Sequence, residues 1–191
     1  MPTSALRQNL LCHPATPAPV VRTIETQTSW QPDGTLVITY CVWGDMARLR
    51  VPPPSLAEPA DLLWEHTCFE AFVGVPREST YREFNFSPSG QWATYAFSDY
   101  RQRIEESLAS AAPRIATQHF AGHLELQATL ASENLPFATS QLEIGLSAVI
   151  EATDVVEGFH SYWALNHPAS RPDFHHRASF ALTLNMPATL A

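Results

Sequence analysis

Apolar residues recur at every second position through most of the chain, the signature of strands with one buried and one solvated face. Leu36, Ile38, Tyr40 and Val42 alternate with Val37, Thr39 and Cys41, and Leu124, Leu126, Ala128 and Leu130 alternate with Glu125, Gln127 and Thr129. The same period runs through Leu142, Ile144, Leu146, Ala148 and Ile150, and through Ala178, Phe180, Leu182 and Leu184. Weaker alternation marks 20–29, 67–75, 80–87, 91–98, 113–120 and 159–165. About ten strands at this spacing predict an all-β fold, an antiparallel β-sandwich or barrel. One short helix is expected over Asp99–Ser110, where Ile104 and Leu108 fall on one helical face among Arg and Glu. Turns are expected at Pro32-Asp33-Gly34 and Pro88-Ser89-Gly90. The run Pro52-Pro53-Pro54 opens a surface excursion, because proline has no N–H to give to a ladder.

Length and composition then bound the function. The 191 residues suit one domain, 1–191, with 1–19 expected as a flexible N-terminal segment. There is no lysine, and 11 arginines face 19 acidic residues for a net charge of -8, so a nucleic-acid partner is not expected. No apolar run is long enough for a membrane helix, and 1–19 lacks the apolar stretch of a signal peptide. Three cysteines, Cys12, Cys41 and Cys68, without paired spacing fit reduced thiols, and the expected location is cytoplasmic.

Candidate ligand-binding residues gather in four segments: Trp64 and His66; Glu83 and Asn85; Trp92; and Trp163, Asn166, His167, His175 and Arg177. Flat indole faces beside carboxylate, amide and guanidinium groups are the chemistry that holds a sugar ring. No GxSxG elbow or phosphate loop is present, and a carboxylate pair could be drawn from Glu65, Glu70 and Glu83 only if their spacing in space allowed it. Neither catalytic residues nor a metal site is expected, since no compact ligand pattern such as HExxH occurs.

Two phrases carry a family resemblance. Leu63-Trp64-Glu65-His66-Thr67-Cys68-Phe69-Glu70-Ala71-Phe72 and Tyr81-Arg82-Glu83-Phe84-Asn85-Phe86-Ser87-Pro88-Ser89-Gly90, followed by Trp163-Ala164-Leu165 and Pro172-Asp173-Phe174-His175, resemble the DOMON-like superfamily, with family 9 carbohydrate-binding modules most similar. The resemblance implies a β-sandwich that binds a sugar in some members and haem in others. It implies sugar contacts at Trp64, Glu83, Asn85, Trp163 and Arg177. For haem, the axial pair would have to involve Met46 or two histidines. The expected function is therefore a non-catalytic module for a small carbohydrate or sugar-like metabolite, without a cofactor. The alternatives are a haem-binding domain and a protein-interaction domain.

Overall fold

The computed structural model describes residues 5–105, 111–138, 140–153 and 159–187. Among them are twelve strands and four short 3-10 turns, and no α-helix. One sheet contains β1 (Leu6–Cys12), β2 (Val21–Trp30), β3 (Leu36–Gly44), β9 (His123–Leu130) and β8 (Arg114–His119), in that order. The other runs β7 (Gln102–Ile104), β6 (Trp92–Asp99), β5 (Tyr81–Phe86), β4 (Cys68–Gly74), β10 (Gln141–Glu151) and β11 (His160–Ala164). Every pairing of these strands is antiparallel, and β12 (Leu182–Asn185) adds to the first part of β10.

The sheets face each other across one apolar core. Ile24, Ile38, Tyr40 and Leu126 on the first meet Phe69, Phe84, Ile144 and Leu146 on the second, in the phase that period-two alternation dictates. Two polar clasps cross the layer: the Tyr40 hydroxyl donates to the Glu70 carbonyl at 2.7 Å, and Trp30 Nε1 donates to the Asn185 carbonyl at 2.8 Å. The antiparallel β-sandwich expected from the alternation is thus the observed architecture.

Three local expectations are corrected. The helix expected over Asp99–Ser110 is, as far as Ile104, a hairpin: β6 continues to Asp99 and turns through Arg101 at positive φ into β7, where Ala96 pairs with Ile104. Residues 106–110 lie outside the described residues. The Ile104–Leu108 spacing misled because a four-residue apolar spacing also satisfies period two. The segment 1–19, expected as flexible, contains β1, whose Leu6–Leu10 pair with β2 and whose Leu11 and Cys12 pair with β11. By switching partners, β1 joins the two sheets at one corner. Finally, the strand expected from Ala178 begins only at Leu182; Arg177–Ser179 form a 3-10 turn, and Phe180 points away from the core that Leu182 and Leu184 enter.

The second sheet is covered on its outer face as well. All seven residues of β4 are buried, Phe69, Ala71 and Val73 toward the core and Cys68, Glu70 and Phe72 toward a second apolar cluster that includes Tyr81, Tyr95, Phe97, Phe174 and Phe180. The roof is the β11–β12 connection, 165–181, and the proline-rich excursion, whose Ala60 N–H donates to the Trp92 carbonyl at 2.9 Å.

Removing either side of the inter-sheet contact at Tyr40 and Phe69, whose ring centroids are 5.0 Å apart, should destabilise the sandwich. In urea titrations Phe69→Ala is expected to cost about 3–5 kcal/mol and Tyr40→Phe about 1–2 kcal/mol. An unchanged Tyr40→Phe midpoint would show that the clasp on the Glu70 carbonyl adds nothing.

Candidate functional site

Antiparallel register places a polar pair in the middle of the roofed face. Phe72 lies opposite Glu83, Glu83 opposite Tyr95, and Glu70 lies between Asn85 and Ser147, so Glu70 and Glu83 are diagonal neighbours on one face. Above them is a cavity of about 380 Å³. Its walls are the rings of Phe72, Tyr95, Phe97, Tyr162 and Phe174, with Val149 and Pro172. Trp64, 38% exposed, stands beside Tyr95 with ring centroids 6.3 Å apart. Arg101 and Arg103, on the β6–β7 hairpin, complete the lining with His175.

The carboxyl groups are sparsely solvated. Glu70 is 4% and Glu83 6% exposed. Ser147 Oγ donates to Glu70 Oε2 at 3.3 Å, and Asn85 Nδ2 donates to Glu83 Oε1 at 2.8 Å. Burial pushes both carboxyls up, Glu70 well above its ordinary range with the neighbouring Glu83 charge adding to the effect, and Glu83 to about 7. Two acids on one buried floor titrate as a pair, and the pair retains a proton near neutrality.

Around them the hydrogen bonds form a frame. The Tyr81 hydroxyl accepts from the Arg101 N–H at 3.1 Å and lies 2.9 Å from His175 Nδ1. Burial, then the Arg101 charge, lowers His175 to about 4, so its ring is neutral at physiological pH. The neutral ring carries one proton, on Nδ1 beside the Tyr81 hydroxyl or on Nε2, which lies 3.7 Å from Glu83 Oε2. Asp173 accepts from the Tyr100 hydroxyl at 2.8 Å and from Arg101 at 3.0 Å, tying the roof loop to the hairpin. Although burial opposes it, these donors hold Asp173 below its ordinary range. The Tyr95 hydroxyl donates to Asp61 at 2.9 Å, and burial, then that bond, raises the phenol. Arg103 lies 4.0 Å from the Tyr95 ring centroid.

Of the residues singled out from sequence, Trp64, Glu83 and His175 meet in this cavity. Asn85 lies beneath it, bonded to Glu83. Trp92 borders an adjoining groove of about 230 Å³ that shares Tyr95 and Arg103 with the cavity. The others are elsewhere. His66 bonds Glu151 at 3.1 Å, beside the Arg50–Glu151 pair at 2.9 Å. Trp163 is 5% exposed in the core between the sheets, its Nε1 donating to Ser161 at 3.0 Å. Asn166 donates to the Ala178 carbonyl at 2.9 Å, and His167 bonds the Leu11 carbonyl at 2.8 Å. Arg177 crosses Gly74, where a Cβ would strike its guanidinium, and pairs with Glu143 and the Val75 carbonyl. These five pack the sandwich or fasten the roof loop and its neighbouring strands, and none of them lines the cavity.

The sequence reading missed Phe72, Tyr95, Phe97, Arg101, Arg103, Tyr162 and Phe174, and named Glu70 only as a possible partner carboxylate. Tyr162 was one residue away: Trp163 faces the core, so its neighbour faces the cavity. Arg101 and Arg103 were obscured by the expected helix.

Haem, implied for some DOMON-like proteins, can be tested against these residues. The cavity offers one imidazole, His175, whose Nδ1 is bonded to Tyr81, whereas Met46 lies in the 3-10 turn Met46–Arg48 packed against the inter-sheet core. The lining does not supply a Met–His or His–His axial pair.

No protein-family model and no curated protein sequence matches the chain. Its fold is similar to that of a solved protein from Bacteroides uniformis proposed to bind carbohydrate, with a TM-score of 0.69, 15% identity, and coverage of 94% of this chain and 85% of that one. A family 9 carbohydrate-binding module from Caldicellulosiruptor kristjanssonii, solved with cellotriose, gives a TM-score of 0.46 at 11% identity over 82% of this chain and 72% of that one. The first likeness shows a fold shared with that protein.

The raised Glu83 makes a signed prediction about stability. A folded pKa above the unfolded value contributes stability that is complete below the unfolded pKa, near 4.5, and is lost as pH rises through about 7. His175 works oppositely: its contribution is complete above 6.5 and is lost as pH falls through about 4. Glu83→Gln removes the first dependence and the Glu83 charge that helps raise Glu70, and leaves the His175 dependence in place. Between about pH 5 and pH 8 the variant should therefore gain about 1–3 kcal/mol relative to the parent in denaturant titrations. A constant difference across that range would mean that Glu83 ionises as an ordinary carboxyl.

Proposed function

We propose that the protein is a non-catalytic binding module and that this cavity takes a small saccharide or sugar-like metabolite. The observation that carries the reading is the division of the cavity surface: aromatic rings form its walls, carboxyl groups its floor, and guanidinium groups border it. A sugar has the complementary division, with C–H faces that pack on rings and hydroxyls that need donors and acceptors. The volume, about 380 Å³, is at the small end of the range for ligand sites and suits one or two rings. The DOMON-like phrases support the reading because Trp64 and Glu83, both within them, are cavity residues. The shared fold with the Bacteroides uniformis protein agrees with it.

Binding without chemistry is supported by the position of the acids. Glycoside hydrolysis commonly places two carboxyl groups on either side of the scissile bond. Glu70 and Glu83 come from adjacent strands of one floor and lie on the same side of a ring seated on it. The three free thiols, with burial raising each above its ordinary value, are consistent with a reducing compartment such as the cytoplasm.

Thermal-shift and calorimetric titrations with a panel of mono- and disaccharides test the proposal. At least one saccharide should raise the melting temperature, and Trp64→Ala should weaken its binding about tenfold while leaving cooperative unfolding intact. Trp163→Ala should act instead on stability, costing about 3–5 kcal/mol. Silence across the panel, or full affinity in the Trp64 variant, would overturn the assignment.

A further inference from the structure

Within the carbohydrate reading, on which this step rests, the floor specifies more than a neutral sugar. Glu70 Oε1 accepts no hydrogen bond from any described residue, and Glu83 Oε2 meets only His175 Nε2, at 3.7 Å and so beyond hydrogen-bond reach, although both side chains are more than nine-tenths buried and line the cavity. A carboxylate oxygen that faces a narrow, largely apolar cavity and is short of donors is costly, and a second ionised carboxyl beside it is costlier. A sugar hydroxyl can donate to one such oxygen but brings no compensating charge. An ammonium group has several N–H donors and a full positive charge, so it can bridge both carboxyls and neutralise one of the two charges. The rings of Phe72 and Tyr162 on the walls add apolar surfaces that attract a cation.

We propose that the ligand is an amino sugar bearing a free, protonated amine, seated with its nitrogen between Glu70 and Glu83. N-acetylation abolishes both the charge and two of the donors, so the site selects the free amine over its acetylated form. The other end of the ligand faces Arg103, whose guanidinium stacks on Tyr95 and pairs with no carboxylate among the described residues. Arg101 is occupied by Asp173 and the Tyr100 hydroxyl, so the charge nearest the acids on that hairpin is already paired.

The groups able to titrate or carry charge around the floor come from each packed element. Tyr81 on β5, Tyr95 on β6 and Tyr162 on β11 have raised phenols, with burial as the largest cause in each. Cys68 on β4 is likewise raised by burial, and His175 on the roof loop is neutral. Asp61 accepts the Tyr95 hydroxyl, Asp173 is paired with Arg101, and Arg103 lies over the Tyr95 ring. The proton exchangeable near neutrality therefore belongs to the Glu70–Glu83 pair. An incoming ammonium displaces it to solvent, whereas a neutral sugar leaves it in place.

The test uses the intact chain with glucosamine, glucose and N-acetylglucosamine at about pH 6, where an alkyl amine is protonated. Calorimetry in two buffers of different ionisation enthalpy reads both affinity and proton release. Glucosamine is expected to bind about tenfold more tightly than either other sugar, with release of up to about one proton, and glucose to release none. In Glu83→Gln, checked for cooperative melting, the preference should fall toward unity and the proton release should shrink. Equal binding of glucosamine and glucose, or tighter binding of N-acetylglucosamine, would overturn the amine assignment and leave the carbohydrate reading standing. Absence of heat and of thermal shift with all three, together with silence across the wider saccharide panel, would overturn both. Preference for glucosamine without proton release would contradict the placement of its nitrogen at the acid pair.

Discussion

Two carboxyl groups on a strand pair that buries both of its faces set the terms for the rest of this structure. The inward face of β4 and β5 supplies Phe69, Ala71, Phe84 and Phe86 to the core, and alternation obliges Glu70, Phe72, Glu83 and Asn85 to share the other face. In an open sheet that second face would meet water and the acids would be ordinary. Here the roof loop and the proline-rich excursion cover it. The hydrogen bonds of Asn166, His167, Asp173 and Arg177 explain why the roof remains in place: each ties the loop to itself, to β1, to the β6–β7 hairpin or to the sheet.

Covering a charged face creates an electrostatic problem, and the side chains around it share the solution. Burial raises both glutamates and lowers His175, so the centre of the cavity approaches neutrality by proton uptake on the acids and proton loss from the imidazole. Ser147 and Asn85 each satisfy one carboxyl oxygen; of the other two, Glu83 Oε2 has only His175 Nε2 at 3.7 Å, and Glu70 Oε1 accepts no hydrogen bond from any described residue. That incomplete satisfaction distinguishes this floor from a structural buried network, whose members would all be paired. The proposed binding role draws on that incomplete satisfaction as well as on the division between aromatic walls and carboxyl floor.

Much of the fold was legible because period-two alternation is strong where one face meets the inter-sheet core, as in β3, β9 and β10. It was weakest at the edges. Solvated β7 has three exposed residues and no apolar phase to reveal it, while β1 has the sparse pattern of a strand largely open to solvent. The site was legible in part: Trp64, Glu83 and His175 stand out as polar or amphipathic residues in aromatic surroundings. Trp163 shows the limit. Tyr162 and Trp163 are equally plausible ring platforms in sequence, and only pairing of β11 with β10 fixes which one enters the core. The same holds for Glu70, whose closeness to Glu83 is a property of strand register and not of spacing along the chain.

The most direct check of the site's location is a heteronuclear NMR titration of the five indole N–H resonances with whichever saccharide gives the largest thermal shift. The account predicts that the Trp64 resonance moves while those of Trp30 and Trp163, hydrogen-bonded within the sandwich, stay in place. A stationary Trp64 accompanied by movement of Trp43, which stacks on His123 on the other sheet, would place the ligand on the wrong side of the molecule and contradict the account.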